Sequence, residues 1–291
     1  MRNILETVAK VLDHDVSILI LGESGVGKDY LAQSIHACSA RPAEPFVHIQ
    51  CASIPADLFE SELFGHERGT FTGAQTRKVG KLEAAGRGTV YFDEVAALTP
   101  QLQAKLLRVM QERRFSRLGG AGTLPFEARV ITSSNADAAA LLATGALRSD
   151  FYYRINVVSL TLPPLRERPE DLLTLARQFV KRTKFRRFAA DAERVMRDYA
   201  WPGNVRELRN AIERAGLVED SDAITAASLP IRAASDLIRT AARGQWTLDE
   251  LEAHYIREVL RATRDNYSRA AGILGINRKT LLEKRKKYGI E

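Results

Sequence analysis

Val16-Ser17-Ile18-Leu19-Ile20-Leu21-Gly22-Glu23-Ser24-Gly25-Val26-Gly27-Lys28 is the stretch on which the architecture turns. An apolar run of strand length opens directly into a glycine-rich turn that ends in lysine, and the residues after it suit a helix. In that setting backbone N–H groups can cradle phosphates while the lysine reaches the β and γ oxygens. The stretch therefore predicts nucleotide contacts at Gly22, Glu23, Ser24, Gly25, Val26, Gly27 and Lys28, with Asp29 beside them in the first helical turn. Asp29 stands where such loops carry Ser or Thr, so it has no neutral hydroxyl to offer Mg²⁺. A glycine-rich turn without chemistry is the plain alternative, and other motifs must discriminate.

Outward from this loop, Phe46 to Ile49, Thr89 to Phe92, Arg129 to Ile131 and Val157 to Leu160 are further short apolar runs, separated by helix-compatible stretches. The alternation predicts an α/β layer around a mostly parallel sheet. Strand signals stop after Leu162-Pro163-Pro164, and Pro169 followed by Glu170 and Asp171 suits the first turn of a helix. An α/β core is expected at 1–165, a helical lid subdomain at 166–219 and an Ala- and Ser-rich linker at 220–246. An all-α segment follows at 247–291. It opens on the capping-box pattern Thr247-Leu248-Asp249-Glu250, and Leu248, Leu251, Tyr255, Val259 and Leu260 are expected on one buried face. A second helix is expected from Ser268 to Leu274, then a turn at Gly275, a cap at Asn277 and a third helix from Arg278 to Tyr288.

With 291 residues, 45% of them hydrophobic and 27% charged, the chain has enough material for a sizeable core and for more than one domain. The net charge of +7 favours an anionic partner without choosing one. Two cysteines, Cys38 and Cys51, form neither a disulfide framework nor a metal-ligand spacing, which suits a reducing compartment. No run approaches the roughly 20 apolar residues of a membrane span. A soluble cytoplasmic protein with no membrane partner is expected.

Val90-Tyr91-Phe92-Asp93-Glu94 is an apolar run ending in two carboxylates, the Walker B arrangement. Asp93 there is expected to organise Mg²⁺ and Glu94 to polarise an attacking water. Paired acids at a strand end are often a solvated turn, but these lie downstream of a phosphate-loop pattern. Asn204 reads as a helix cap with Glu207 three residues on, which puts Arg206 in a first turn whose dipole disfavours a cation. A nearby anion, or Glu207 itself, would relieve that. From Ser268 onward seven basic residues face only Glu283 and Glu291, on a helix-turn-helix pattern that suits duplex DNA. Arg278, Lys279 and Thr280 lie at the helix end that usually meets bases, whereas Lys284, Lys286 and Lys287 are expected at phosphates.

Between the two nucleotide motifs lies Gly69-Thr70-Phe71-Thr72-Gly73-Ala74, one bare aromatic on a pliable loop. This hexapeptide resembles Gly-Ala-Phe-Thr-Gly-Ala, the signature of the bacterial enhancer-binding proteins that activate RNA polymerase carrying sigma-54. Trp201-Pro202-Gly203-Asn204-Val205-Arg206-Glu207-Leu208 and the Fis-like pattern from Ala270 to Leu281 extend the resemblance over nearly the whole chain, in family order and spacing. The resemblance implies an AAA+ ATPase core with a helical lid and a Fis-type helix-turn-helix domain. It also implies ATP and Mg²⁺ as cofactors, a homo-oligomeric, hexameric ring, and upstream enhancer DNA and the sigma-54 holoenzyme as partners. Ser134 and Asn135 align with its sensor I pair, Arg148 and Arg154 with its two arginine fingers, and Arg206 with its sensor II arginine. Thr70, Phe71, Thr72 and Gly73 align with its polymerase-contacting loop. Thr70 replaces the family's Ala, and its β-branch is expected to stiffen the backbone beside the tip. Gln50 stands where the family has an Asn that holds the Walker B Glu between turnovers, which bears on coupling more than on hydrolysis. Family members commonly carry an N-terminal sensory domain. None is read in these residues, so control is expected through a partner or expression level, or the chain is a truncated form. A DNA-binding regulator whose ATPase module no longer hydrolyses, and an AAA+ replication or transposition factor, are the rival readings.

Overall fold

Ile18 and Ile20 of strand β1 (Ile18–Leu21) turn to one side of a sheet, Leu19 and Leu21 to the other, and all four are buried. Burial on both faces is what a continuous apolar run needs, and it places β1 inside a sheet with helices above and below. The computed structural model describes residues 2–70, 76–135, 138–181, 183, 185, 187–219, 221–231, 246–263 and 265–290. Two compact units are distinguished, Met1–Glu193 with Ala200–Leu229, and Arg194–Tyr199 with Pro230–Glu291.

In the first unit, β2 (Phe46–Gln50) is followed by a short antiparallel pair, β3 (Gly65–His66) and β4 (Lys78–Val79). Next come β5 (Thr89–Asp93), the hairpin β6 (Arg114–Ser116) and β7 (Thr123–Pro125), then β8 (Arg129–Ser134) and β9 (Val158–Thr161). The five longer strands form one parallel sheet in the order β2-β5-β8-β1-β9. The expected alternation is thus present, with each strand within two or three residues of its apolar run.

Helix α1 (Arg2–Val11) precedes β1, and the crossovers carry α2 (Lys28–Ala37), α3 (Ala56–Phe64), α4 (Lys81–Ala84), α5 (Pro100–Glu112), α6 (Ala138–Ala143) and α7 (Ser149–Ile155). Leu31, Ala32 and Ile35 of α2 pack with Ile18, Ile20, Tyr91 and Ile131 on one face. Phe59 and Leu63 of α3, Leu102 and Leu106 of α5 and Phe151 of α7 pack with Leu19, Val90, Phe92 and Val130 on the other. The helical lid follows as α8 (Pro169–Val180), α9 (Ala190–Asp198) and α10 (Asn204–Val218), with Pro169 in the first turn of α8 where its missing N–H costs nothing.

The lid corrects one expectation. Asn204 does not cap α10: its φ is 53°, its side chain is fully buried, and the cap position belongs to Gly203, whose N–H donates to the Glu207 carboxylate at 2.8 Å. Its short amide tolerates the left-handed backbone, and the trade is a contact across the molecule in place of a local one.

The second unit contains helices Leu248–Ala262, Tyr267–Leu274 and Arg278–Lys287. Thr247 and Glu250 form the expected capping box, Gly275 takes the left-handed turn at φ 66°, and the Asn277 side chain accepts from Thr280 N at 2.8 Å. The predicted buried face of the first of these helices is shifted. Leu248 and Tyr255 are exposed, and Ile256, Val259 and Leu260 make the core with Ala270, Ala271 and Leu281.

Candidate functional site

Parallel register brings the ends of three strands to one edge. Leu21 pairs with Ser134, and Phe92 pairs with Thr132, so the phosphate-loop start, the Asp93-Glu94 pair and the Ser133-Ser134-Asn135 run share the carboxyl side of the sheet. Open α/β sheets bind ligands at that side. Gly22 N–H donates to Ser134 O at 3.2 Å, stitching the loop to β8.

Lys28 opens α2 and is buried; its ammonium donates to Gly22 O at 2.8 Å and Glu23 O at 3.3 Å. Burial pulls its pKa down, and the charges of Glu94, Asp93 and Asp29 oppose that. A desolvated ammonium resting on its own loop's carbonyls is the group a phosphate oxygen would engage. Gly25 must be glycine: its φ is 76°, and a Cβ there would meet the Gly203 carbonyl oxygen at 2.4 Å.

The acids are held by residues from neighbouring strands. Asp93 Oδ1 accepts from Ser133 Oγ at 2.6 Å and from the Tyr91 hydroxyl at 3.2 Å, and the same hydroxyl donates to Asp29 Oδ1 at 2.8 Å. Ser133 Oγ in turn accepts from Glu94 N at 3.1 Å. Glu94 has φ 56°, a left-handed conformation unusual for a non-glycine residue, of the kind that collects where a side chain is aimed. Its carboxylate accepts from Ser134 Oγ at 3.2 Å and lies 3.5 Å from Asn135 N. Ser133 escaped the sequence reading, because only the β5–β8 register sets it beside Asp93. Gln50 is exposed at the end of β2, and among the described residues its side chain makes no hydrogen bond to Glu94. Burial together with Asp93 and Glu94 pushes the Cys51 thiol up to about 12, so it stays protonated and inert.

The lid is clamped to the phosphate loop. Asn204 Oδ1 accepts from Leu165 N at 2.8 Å, while its Nδ2 donates to Glu23 Oε2 at 3.0 Å and Ser24 O at 3.1 Å. Arg166 makes a two-pronged bridge to Glu23 at 2.9 and 2.6 Å, and Arg166 with Asn204 holds that carboxyl down at about 2. Arg206 donates to Ser24 Oγ at 3.0 Å, so the first-turn cation sits against the loop and not on Glu207. Arg148 and Arg154 are elsewhere within the chain: Arg148 pairs with Asp150 at 3.0 and 2.7 Å, and Arg154 donates to the Met110 carbonyl.

The Gly69-Ala74 loop is described only at its base; Phe71, Thr72 and Gly73 lie outside the described residues. Thr70 acts through its hydroxyl, which reaches Glu67 O at 2.6 Å and Leu118 O at 3.1 Å. Arg117 adds bridges to Glu67 at 2.8 Å and Glu83 at 2.7 Å, so the β6–β7 turn braces the loop base.

In the second unit the basic residues divide. Lys284 bridges to Glu252 at 2.7 Å and Lys287 to Asp249 at 2.9 Å, both acids on the Leu248–Ala262 helix. Arg278, Lys279 and Lys286 are exposed and make no ion pair among the described residues, while Thr280 is half-buried. Arg278 and Lys279 stand at a helix N-terminus, where the dipole disfavours cations until an anion arrives.

Three family models match the chain: the sigma-54 interaction domain over residues 1–161, the AAA+ ATPase lid domain over 166–244, and the bacterial regulatory protein, Fis family, over 247–288. Regulatory protein AtoC of Escherichia coli (strain K12) is 41% identical over 100% of this chain and 66% of its own length. The alginate biosynthesis transcriptional regulatory protein AlgB of Pseudomonas aeruginosa is 43% identical, again over 100% of this chain and 66% of its own length. The chain thus spans slightly under two thirds of these relatives. The crystal structure of NtrX from Brucella abortus in complex with ATP is similar with TM-score 0.72 and 33% identity, covering 100% of this chain and 68% of that one. Among the described residues no helix is long and apolar enough to cross a membrane.

Proposed function

Because the chain belongs to the family of sigma-54-dependent transcriptional regulators, with an AAA+ module and a Fis-type helix-turn-helix, we propose that it binds upstream DNA and uses ATP hydrolysis to remodel the closed sigma-54 polymerase complex into the open one. The observation that carries this reading is the convergence of Lys28, Asp93, Glu94 and Ser134 at one sheet edge under a lid arginine that reaches the phosphate loop. The ATP complex of NtrX supports nucleotide as the ligand.

The residues fit a nucleotide and its ion. Lys28 would engage the terminal phosphates and the N–H groups of 22–28 would cradle them. Asp93 would hold Mg²⁺, which when bound supplies charge neutralisation at the phosphates. Glu94, kept in place by Ser134, orients and deprotonates the attacking water. Arg206 senses phosphate through the loop it already touches. Arg148 and Arg154, engaged away from the phosphate loop within one chain, suit service to the neighbouring subunit of a ring, where a planar, permanent cation fits the transferring phosphoryl group. Residues Thr70 to Gly73 are assigned to the polymerase contact, on a base braced by Arg117.

Open-complex formation at a sigma-54 promoter tests the whole reading. Promoter opening that requires ATP and this chain supports it. Specific DNA binding without ATP turnover at any protein concentration would leave instead a DNA-binding regulator with a non-hydrolysing oligomerisation module.

A further inference from the structure

Asp29 and Asp93, beside the nucleotide and its Mg²⁺ in the ATPase reading, meet a third side chain, His48, that this reading does not use. His48 lies on β2 in register with Tyr91 of β5, their ring centroids 4.9 Å apart. The Tyr91 hydroxyl bridges Asp29, in the first turn of α2, and Asp93, at the end of β5. The candidate donor atoms of Asp29, His48 and Asp93 all lie within 4.8 Å of one another, and His48 Nε2 is buried without a hydrogen-bond partner. A histidine with a buried, unbonded ring nitrogen, standing within 4.8 Å of two carboxylates that a third group holds together, is a donor set suited to a metal ion.

We propose that Asp29, His48 and Asp93 bind one divalent transition-metal ion of the Zn²⁺, Co²⁺ or Mn²⁺ class. Nitrogen and oxygen donors hold such ions at about 2.0–2.2 Å, so donors around one ion stand no more than about 4 Å apart. The donors, now within 4.8 Å of one another, must close by about 1 Å or less around the ion. The imidazole sets the preference: Mg²⁺ takes oxygen donors and keeps its waters, whereas Zn²⁺ and Co²⁺ accept imidazole readily. The site stands without nucleotide. Its consequence for turnover rests on the ATPase reading, since an ion here occupies Asp93 and so inhibits Mg²⁺-dependent hydrolysis.

The experiment is a Co²⁺ titration of the nucleotide-free chain, followed by visible absorption and by calorimetry, with Zn²⁺ and Mg²⁺ as competitors. One equivalent is expected to bind, Zn²⁺ to displace it, and Mg²⁺ at tenfold excess to leave it in place. His48→Gln should weaken Co²⁺ at least tenfold with its circular dichroism unchanged, and Asp29→Asn gives the same loss by a second route if the first variant does not fold. A parent chain without the absorption band, equal displacement by Mg²⁺, or a folded His48→Gln protein that titrates like the parent overturns the site. Lys28→Ala separates the two readings: it should lose nucleotide and keep Co²⁺. Nucleotide binding retained in Lys28→Ala would damage the ATPase reading alone, and a missing Co²⁺ band with normal nucleotide binding would remove the metal site alone.

Discussion

The proposed nucleotide edge and the C-terminal helix-turn-helix both carry cations suited to phosphate, yet they are built on opposite principles. At the sheet edge Lys28 is buried, and the residues around it come from segments as far apart as Ser24 and Arg206, so each group is held from several directions. In the Arg278–Lys287 helix the cations project from one short element whose shape is set by its own cap and turn. A buried, multiply held site can position charge for chemistry, and removing one group leaves others unsatisfied. An exposed basic helix can only supply a field and a few contacts, and losses there are graded.

The comparison breaks first at the residues proposed to act on ATP. Lys28→Ala is expected to abolish nucleotide binding, and Glu94→Gln to bind ATP while turnover falls about 100- to 10,000-fold, as loss of a positioned base does. Calorimetric nucleotide binding and phosphate release check both. Undiminished turnover in Glu94→Gln would place the chemistry elsewhere.

Two asparagines of the same chemistry sharpen the contrast in stability. Asn204→Ala strands the Leu165 N–H and loses the links to Glu23 and Ser24, a cost of about 2–3 kcal/mol for buried groups left unpaired. Asn277→Ala loses one exposed cap, a cost of about 1 kcal/mol. Denaturant unfolding of each variant measures the difference, and equal costs would contradict the buried clamp.

Within the basic helix, Lys286→Ala should reduce the slope of log affinity against log salt by about 0.9, because that ammonium is free to meet a phosphate. Lys287→Ala should change it less, since Asp249 already holds its charge. Identical slopes for the two variants would dissolve the distinction between free and engaged lysines.

The smallest effect is at Glu23. Its pKa is depressed from 4.5 to about 2 in the folded chain, so the stability it contributes is complete above pH 4.5 and is lost as pH falls from there toward 2. The Glu23–Arg166 pair is solvent-exposed, which limits the contribution to about 1 kcal/mol or less. Unfolding of the parent and of Glu23→Gln should therefore differ slightly near neutral pH and converge in acid. A difference that grew on acidification would reverse the sign and exclude the clamp.

Legibility followed the range of the interaction. Thr247, Asn277 and Gly275 could be read as cap, cap and turn because each acts on backbone within three residues of itself. Asn204 was misread for the same reason: a cap is the local use of an asparagine before a helix, and its actual partners are Leu165, Glu23 and Ser24. The face of the Leu248–Ala262 helix was read correctly at Val259 and Leu260 and wrongly at Leu248 and Tyr255, since periodicity locates an apolar stripe but not its edges.

The order of strands and helices, the phosphate-loop turn and the basic third helix were all settled by residue order alone, because backbone conformation and apolar periodicity are short-range properties of the chain. Which side chains meet was not. The adjacency of Ser133 to Asp93, of Asn204 to Glu23 and of His48 to Asp29 arises from the register of parallel strands and the packing of a lid, joined by crossovers of many residues. Such crossovers leave strand order free until the sheet's two faces are both covered, and only that burial selects one arrangement.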